Sequence, residues 1–312
     1  MTTVALAGAS TGLGHQILQA LLDTKKHNVV VLSRGPSPDL AALGANVKTV
    51  DYNDQASLVA ALSGVHTVIS AIGGMAGTGT GIREGQLALV AAAHKAGVSR
   101  FAPSEFAVVS SDFCDLYKPK IEVLDAIKAT GMGYTRYCCG LFLNIMGSGT
   151  PKGQEEALGG LRPWNFVINM KAGTADVPGD GTDPISLTTT RDIGRFVAAS
   201  LDLETWPELT LFEGDRKSFR DLVALAEEVQ GRKFLVKENS ISEMKQASEK
   251  APETTFYNDT RIHFAEGGGV TGRELNDLFP DLKPTSAKEY VEHWWSGVKL
   301  GEPQWEENRM FN

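Results

Sequence analysis

Cysteine and metal-ligand patterns are scarce in this chain. Only three of its 312 residues are cysteine, Cys114, Cys138 and Cys139. Their number is odd, they form no Cys-x-x-Cys pair, and adjacent cysteines rarely bond to each other. We therefore expect reduced thiols in an intracellular, cytoplasmic protein. The six histidines form no His-Glu-x-x-His motif and show no other metal-ligand spacing, so no metal is predicted.

Long hydrophobic runs and an excess of positive charge are absent as well. No segment approaches the roughly 20 apolar residues that cross a bilayer, and the N-terminus lacks the basic region of a signal peptide. We therefore expect no membrane partner. The net charge of −8 would repel phosphate backbones, which excludes nucleic acid from the expected partners. The composition leaves a homodimer open.

Short apolar runs alternate with helical patterns over the first 140 residues. These runs are continuously apolar, which indicates a parallel sheet covered by helices on both faces. The predicted class is therefore α/β, a Rossmann-type doubly wound parallel sheet. Strands are predicted at 4–7, 28–32, 47–50, 66–70, 99–102 and 133–138, and helices at 11–22, 54–62, 84–96 and 119–130.

A glycine-rich turn, Gly8 to Gly14, joins the first predicted strand to the first predicted helix. Glycines let the chain reverse and let backbone N–H groups approach a pyrophosphate, which then faces the positive end of the helix dipole. A purely structural turn is the alternative, but the β-α-β setting favours a dinucleotide. The residues predicted to bind it here are Gly8, Ser10, Thr11, Gly12, Leu13 and Gly14.

The end of the second strand indicates which dinucleotide binds. Enzymes that use NAD usually carry an acidic residue there, whereas this strand ends in Ser33 and Arg34. Arg34 can grip a 2′-phosphate and stack on adenine, and Ser33 can add a hydroxyl donor. The cofactor is therefore predicted to be NADP(H), with a solvated surface arginine as the alternative. Asp51, which ends the third strand, could bind the adenine amine or could only cap a helix.

The fourth strand ends in Ala71, Ile72 and Gly73, which we expect to line the cofactor crevice. The segment 73–85 contains six glycines and is predicted to be a flexible flap beside the nicotinamide. These features assign residues 1–150 to an NADP-binding Rossmann domain. Residues 151–312 are assigned to a smaller, mainly helical substrate lobe, from which 174–202 returns to the first domain.

The second half has a less regular pattern. Residues 147–160 are rich in Gly, Pro, Lys and Glu and are predicted to form a mobile loop. A tight turn is expected at 178–184. Strands are predicted at 164–170, 174–177 and 209–212, and helices at 190–201, 219–230 and across most of 240–298.

The catalytic candidates follow the fifth strand. Ser104 and Tyr117 are spaced nearly as in short-chain dehydrogenases, but the residue four after Tyr117 is Ile121, and the lysine is Lys120. The usual Tyr-x-x-x-Lys motif is therefore out of register. In the first turn of a helix, Lys120 would have a lowered pKa and could exchange protons near neutral pH. Lys120 could also bind the cofactor by holding the nicotinamide ribose. A solvated lysine beside Glu122 is the alternative.

Several of these segments resemble the isoflavone reductase-like and NmrA-like family of atypical short-chain dehydrogenases. Residues 100–106 resemble its R-F-x-P-S-E-F-G motif, with Ala107 in place of the last glycine. The segment that starts at Lys120 is similar to its K-x-x-x-R-x-x-I-E helix, with Leu124 and Lys128 at the Arg and Glu positions, and Gln86 fits the glutamine of the fourth helix. Two further pairs of segments are also similar to family motifs. One pair is 179–181 and 192–194, and the other is 278–283 and 289–290.

The resemblance implies a site around an NADP cofactor. In it Lys120 is the proton donor or acceptor, Ser104, Glu105 and Phe106 line the cofactor, and residues 139–142, with Gly140 and Phe142, lie by the nicotinamide. Plant members reduce phenolic molecules. The predicted substrate residues are the apolar side chains Phe106, Phe142, Met146 and Trp164.

The leading hypothesis is an NADPH-dependent reductase of a small aromatic, phenolic or polyketide-like molecule, with Lys120 as acid/base and help from Tyr117. A non-catalytic NADP-binding redox sensor like NmrA is the alternative. A third hypothesis is a sugar-nucleotide epimerase or dehydratase, but the missing Tyr-x-x-x-Lys motif argues against it.

Overall fold

The main sheet contains six strands within the described part of the chain. A computed structural model describes residues 1–73 and 83–305. All neighbouring strands are parallel, in the order β3-β2-β1-β4-β5-β6. This confirms the predicted doubly wound fold, whose order reverses between β1 and β4. The strands are β1 (Thr2–Ala7), β2 (His27–Ser33), β3 (Asn46–Thr49), β4 (Thr67–Ser70), β5 (Arg100–Ala102) and β6 (Gly133–Tyr134).

Helices cover both faces of this sheet. Four of the five match predicted helices to within two residues at each end, whereas the short helix Pro38–Ala42 was not predicted. Asp54 caps α3 by accepting a hydrogen bond from the Ala56 backbone N–H at 2.9 Å, and Gly131 ends α5 in the left-handed region. The helices are α1 (Gly12–Thr24), α2 (Pro38–Ala42), α3 (Gln55–Ala61), α4 (Arg83–Lys95) and α5 (Lys118–Thr130).

The predicted sixth strand, 133–138, is divided in two. β6 pairs with β5, whereas the following strand, β7 (Arg136–Cys138), leaves the main sheet and pairs in parallel with a strand at Leu209–Leu211. Thr135 lies at the division, and its hydroxyl is 2.7 Å from the hydroxyl of Thr210. A partner 75 residues away in the chain therefore redirects the strand.

The second half of the chain adds short strands and a mainly helical lobe. The strands are β8 (Leu141–Phe142), β9 (Ile168–Asn169), β10 (Thr174–Pro178), β11 (Pro184–Thr188), β12 (Leu209–Leu211), β13 (Asp215–Ser218) and β14 (Leu235–Asn239). The helices are α6 (Gln154–Leu158), α7 (Thr190–Ser200), α8 (Phe219–Gln230), α9 (Ile241–Lys250), α10 (Thr255–Ala265), α11 (Glu274–Leu278) and α12 (Ala287–Trp295).

Two predictions for this half were wrong. The segment 147–160 is not an open loop, because it contains α6, whose Ala157 and Leu158 are buried. The long strand at 164–170 is reduced to β9, because Val167 has a φ of 61° and cannot continue an extended chain. The strands β11, β13 and β14 were not predicted, since they are short and β13 and β14 are largely polar or exposed.

Helix α7 joins the two halves of the molecule. Its Ile193, Phe196 and Val197 share a core with Val4 and Ile17 of the Rossmann domain. Gly194 allows this contact, because a Cβ there would lie 2.5 Å from the Gln16 carbonyl oxygen. The return of 174–202 to the first domain and the boundary at residue 150 both stay predictions.

Two kinds of feature are absent from the part of the chain that the structure describes. Across residues 1–73 and 83–305, no helix combines the length and apolar character that crossing a bilayer requires. The same residues hold no group of three His, Cys, Asp or Glu side chains placed to bind a metal ion.

Candidate active site

The glycine turn brings the start of α1 against the ends of β1 and β4. Gly8 has a φ of 86°, and a Cβ there would lie 2.5 Å from the Ala71 carbonyl oxygen. A Cβ on Gly14 would lie 2.0 Å from the Gly8 carbonyl oxygen. Thr11 gives α1 no side-chain cap, and Ser10 and Thr11 are exposed. The turn therefore presents free N–H groups and hydroxyls, a set of donors that suits a pyrophosphate.

Beside it, the end of β2 offers a cluster of polar groups. The hydroxyls of Ser33 and Ser37 are 2.9 Å apart, and the Gly35 N–H points to the Ser33 oxygen at 3.5 Å. Arg34 is exposed, and the described residues provide it with no salt bridge. Burial raises the pKa of Tyr52 to about 12, and the positive charge of Arg34 acts in the opposite direction. The phenol therefore lies near Arg34. Sequence reasoning missed Ser37 and Tyr52.

Asp51 is a turn residue in this structure. Its carboxylate accepts a hydrogen bond from the Asn53 N–H at 2.9 Å, just before α3. At the end of β4, the Ala71 N–H donates to the Ala7 carbonyl at 2.8 Å and ties these two strand ends together. Ile72 and Gly73 follow on the same edge. Most of the predicted flap, residues 74–82, lies outside the described residues.

The loop after β5 is held by buried polar contacts. The Ser104 N–H donates to Gln86 Oε1 at 2.8 Å. Glu105 is 2% exposed and pairs with Arg136 at 3.3 Å. Phe106 is buried and stacks on Tyr137 with ring centroids 5.6 Å apart. Of these predicted cofactor residues, Glu105 and Phe106 therefore point into the protein and position the loop.

Lys120 lies in the first turn of α5, as predicted, with its Nζ 4.2 Å from the centroid of the Tyr117 ring. Desolvation lowers the pKa of Lys120, and the Arg136 guanidinium lowers it further, while the Glu105 carboxylate acts in the opposite direction. Glu122, the expected surface neighbour, pairs with Arg83 at 2.5 Å instead. The described residues provide Lys120 with no salt bridge.

The phenol and the thiols near Lys120 are neutral at physiological pH. Burial raises the pKa of the Tyr117 phenol and also that of the Cys138 thiol, the latter to about 11. Cys114, Cys138 and Cys139 are free and buried. Among these groups, Lys120 is the one whose pKa is shifted towards neutrality.

Gly140 and Phe142 connect this region to the second half of the chain. Gly140 has a φ of 73°, and a Cβ there would lie 2.1 Å from the Ser186 carbonyl oxygen. Phe142 is half-buried in β8, which pairs with β11. Met146 is 2% exposed and belongs to the core of the C-terminal lobe.

Five rings next to Lys120 form what we call the aromatic wall: Phe113, Tyr117, Trp164, Phe256 and His263. Tyr117 meets Phe113 at 5.2 Å and Phe256 at 5.9 Å between ring centroids, and Trp164 lies 6.4 Å from Phe256. His263 stacks on Phe113 at 4.2 Å. Phe256 and His263 were not predicted, although their spacing of seven places them on one face of a helix.

These groups share one edge of the molecule. The turn, Arg34, Asp51, Ala71 and Ser104 follow β1 to β5 in turn, at the carboxyl ends of the strands. In an open parallel sheet, ligands bind at this edge where the strand order reverses. This edge is therefore the candidate site for the predicted cofactor.

Comparison with known proteins agrees with this architecture. Residues 1–291 match the model of the NmrA-like family. The chain belongs to the NmrA-like family. It is 32% identical over 308 residues to Oxidoreductase BOA1 of Botryotinia fuckeliana (93% of this chain, 98% of the relative). It is 27% identical over 330 residues to Pinoresinol reductase 2 of Arabidopsis thaliana (93% and 96%).

Among solved structures, this family member is similar to AtPrR2 with NADP+ and (+)-pinoresinol. The TM-score is 0.78 at 22% identity, over 94% of this chain and 98% of that chain. This likeness shows the fold. The resemblance drawn from the motifs and the prediction of an oxidoreductase are confirmed at the level of the family.

Proposed function

We propose that this NmrA-like oxidoreductase is an NADPH-dependent reductase of a small aromatic molecule, phenolic or polyketide-like, with Lys120 as its proton donor. The observation that carries the proposal is Lys120 itself. It is a lysine without a carboxylate partner among the described residues and with a lowered pKa. Its Nζ also lies over the ring of Tyr117, which belongs to the aromatic wall.

The residues at the crevice fit the proposed cofactor. At Gly8 and Gly14 there is no room for a Cβ. The turn therefore stays tight and α1 stays close to the ends of β1 and β4, which is the arrangement that presents a helix N-terminus to a pyrophosphate. Arg34, with the hydroxyls of Ser33 and Ser37, would hold a 2′-phosphate, which NADH lacks. Two comparisons support NADPH as the cofactor. The two relatives are named as an oxidoreductase and a reductase, and the AtPrR2 structure contains NADP+.

The proposed mechanism assigns separate tasks to the chain's residues. A bound NADPH would supply hydride. The aromatic wall excludes water and offers ring faces to a flat substrate. Lys120 holds a proton at Nζ and donates it to the substrate atom that gains negative charge. Tyr117 supports the ammonium with its ring face and stays neutral.

The test combines turnover with binding. Wild-type protein should consume NADPH with members of a panel of phenolic and quinone substrates. Lys120→Ala should abolish turnover and leave the NADPH dissociation constant within about threefold, because Lys120 is not needed to hold the phosphates. Lys128→Ala, an exposed lysine on the same helix, is the control and should behave as wild type.

Two results would contradict the proposal. Undiminished turnover in Lys120→Ala would remove the lysine from the mechanism. Equal affinity for NADP+ and NADPH, together with no NADPH consumption on the panel, would identify a sensor of the NmrA type rather than a reductase.

A further inference from the structure

A segment of the C-terminal lobe lies against the dinucleotide turn. Gly160 approaches Gly12 so closely that a Cβ on Gly160 would lie 2.7 Å from the Gly12 nitrogen. The Leu161 side chain reaches within 3.9 Å of the point where a Gly12 Cβ would be. Gly159 and Gly160 both have positive φ, 56° and 79°. The backbone therefore needs glycine at this approach.

This approach is fixed from behind by buried hydrogen bonds. Asn144 Nδ2 and the Tyr290 hydroxyl both donate to the Ala157 carbonyl, at 2.8 and 2.6 Å. Asn144 Oδ1 also accepts from the Thr190 N–H at 2.7 Å. The end of α6 is thus held to the start of α7 and to α12. We call residues 159–164 the strap, because they leave this anchor and run from Gly12 to the aromatic wall.

The other end of the strap belongs to the aromatic wall. Trp164 packs on Phe166 with ring centroids 4.7 Å apart and lies 6.4 Å from Phe256, which in turn contacts Tyr117 beneath Lys120. Pro163 restricts Arg162 to an extended backbone. The three steps from Leu161 to Trp164 cover at most about 10 Å. The strap therefore links the phosphate turn to the substrate side by a short, stretched path.

Arg162 is the cation on this path. It is exposed, and the residues that the structure describes give it no ion pair and no side-chain hydrogen bond. The acidic residues Glu155 and Glu156 lie on α6, before the strap, and are also exposed. An unpaired arginine two residues from the contact with Gly12 can reach a phosphate on that turn.

We propose that the strap forms the outer wall of the dinucleotide site and that Arg162 binds the pyrophosphate. The inference rests on the proposed function, since it requires a dinucleotide on the turn. It assigns Arg34 to the 2′-phosphate and Arg162 to the pyrophosphate, because Arg34 lies at the end of β2 and Arg162 lies at the turn. The C-terminal lobe thereby contributes to cofactor binding as well as to the substrate wall.

Calorimetric titration with NADPH, NADH and 2′-AMP tests this assignment. Arg162→Gln should weaken NADPH and NADH by the same factor, about tenfold or 1.4 kcal/mol, because both carry the same pyrophosphate. The binding of 2′-AMP, which lacks a pyrophosphate, should not change. Lys245→Gln, an exposed lysine of α9, is the control and should bind all three ligands as wild type does.

A second pair of variants tests the contact between the strap and the turn. Gly160→Ala and Gly64→Ala carry similar backbone strain, because the φ angles of the two glycines are 79° and 74°. Only Gly160→Ala would bring a Cβ against Gly12, since a Cβ on Gly64 would have no atom within 4 Å. We expect Gly160→Ala to weaken both cofactors at least threefold relative to Gly64→Ala.

The possible failures can be told apart. Wild-type protein that binds neither NADPH nor NADH would contradict the proposed function itself. Wild-type protein that binds them, with Arg162→Gln equal to wild type or tighter, would overturn the role of Arg162. Equal affinities of Gly160→Ala and Gly64→Ala would overturn the role of the strap.

Discussion

The ammonium of Lys120 lies over the face of the Tyr117 ring, 4.2 Å from its centroid. The two residues are three apart, on either side of the start of α5. A cation over a ring face is stabilised by the ring's quadrupole. The contact therefore opposes the desolvation that lowers the pKa of Lys120, and it involves the Tyr117 ring rather than its hydroxyl.

Two substitutions of Tyr117 separate the ring from the hydroxyl. Tyr117→Phe keeps the ring and should retain kcat within about threefold. Tyr117→Leu keeps the burial but removes the quadrupole, worth ~0.5–1 kcal/mol, so the pKa of Lys120 should fall by about half a unit. Because the donor is active when protonated, the loss of kcat with rising pH should begin at lower pH. If Tyr117→Phe instead abolished the pH dependence of kcat, the phenol would be a proton carrier.

The buried pair of Glu105 and Arg136 should influence both stability and the pKa of Lys120. Glu105→Gln leaves Arg136, which is largely buried, without its counter-charge and should cost about 3 kcal/mol in urea unfolding. It also removes the carboxylate that raises the pKa of Lys120. The alkaline loss of kcat should therefore move to lower pH.

The control for Glu105→Gln is Glu122→Gln on the surface of α5. Its partner is Arg83, and both side chains are about half exposed, so the change in unfolding free energy should stay below about 1 kcal/mol. If both variants lost the same free energy of unfolding, the ion pair of Glu105 and Arg136 would be no more buried than the surface pair.

Arg34→Ala should raise the NADPH dissociation constant at least tenfold, about 1.4 kcal/mol, and leave NADH nearly unchanged. The reason is that Arg34 has no ion pair among the described residues and lies beside the hydroxyls of Ser33 and Ser37, where only a 2′-phosphate would need it. Equal weakening of both cofactors would mean that Arg34 does not discriminate between them.

Gly14→Ala should damage the turn itself. Its Cβ would lie 2.0 Å from the Gly8 carbonyl oxygen, so α1 must shift, at a cost of about 1–3 kcal/mol in unfolding free energy together with loss of cofactor binding. Gly85→Ala, in helix α4, is matched because its Cβ would make only ordinary contacts at 3.8 and 3.9 Å. That variant should be neutral or more stable, and a similar loss in both would contradict the steric argument.

Local signals predicted much of the Rossmann half. The Asp54 cap, the glycines at the ends of helices and the continuous apolar runs each act within a few residues, so a single sequence is enough to interpret them. The same holds for the turn from Gly8 to Gly14 and for Lys120 at the start of α5. The prediction for 147–160 failed for the opposite reason, because the Ala157 carbonyl is held by hydrogen bonds from Asn144 and Tyr290, which lie 13 and 133 residues away in the chain.

The sequence by itself determined the class of sheet, the position of the dinucleotide turn and the helix that carries Lys120, because periodicity, capping and glycine content are local properties. Only the tertiary structure decided that Thr210 redirects the sixth strand, that Phe256 and His263 complete a wall beside Tyr117, and that Gly160 lies against Gly12. Each of these contacts joins residues more than 70 positions apart. Their existence depends on how the C-terminal lobe packs against the sheet, which no local pattern specifies.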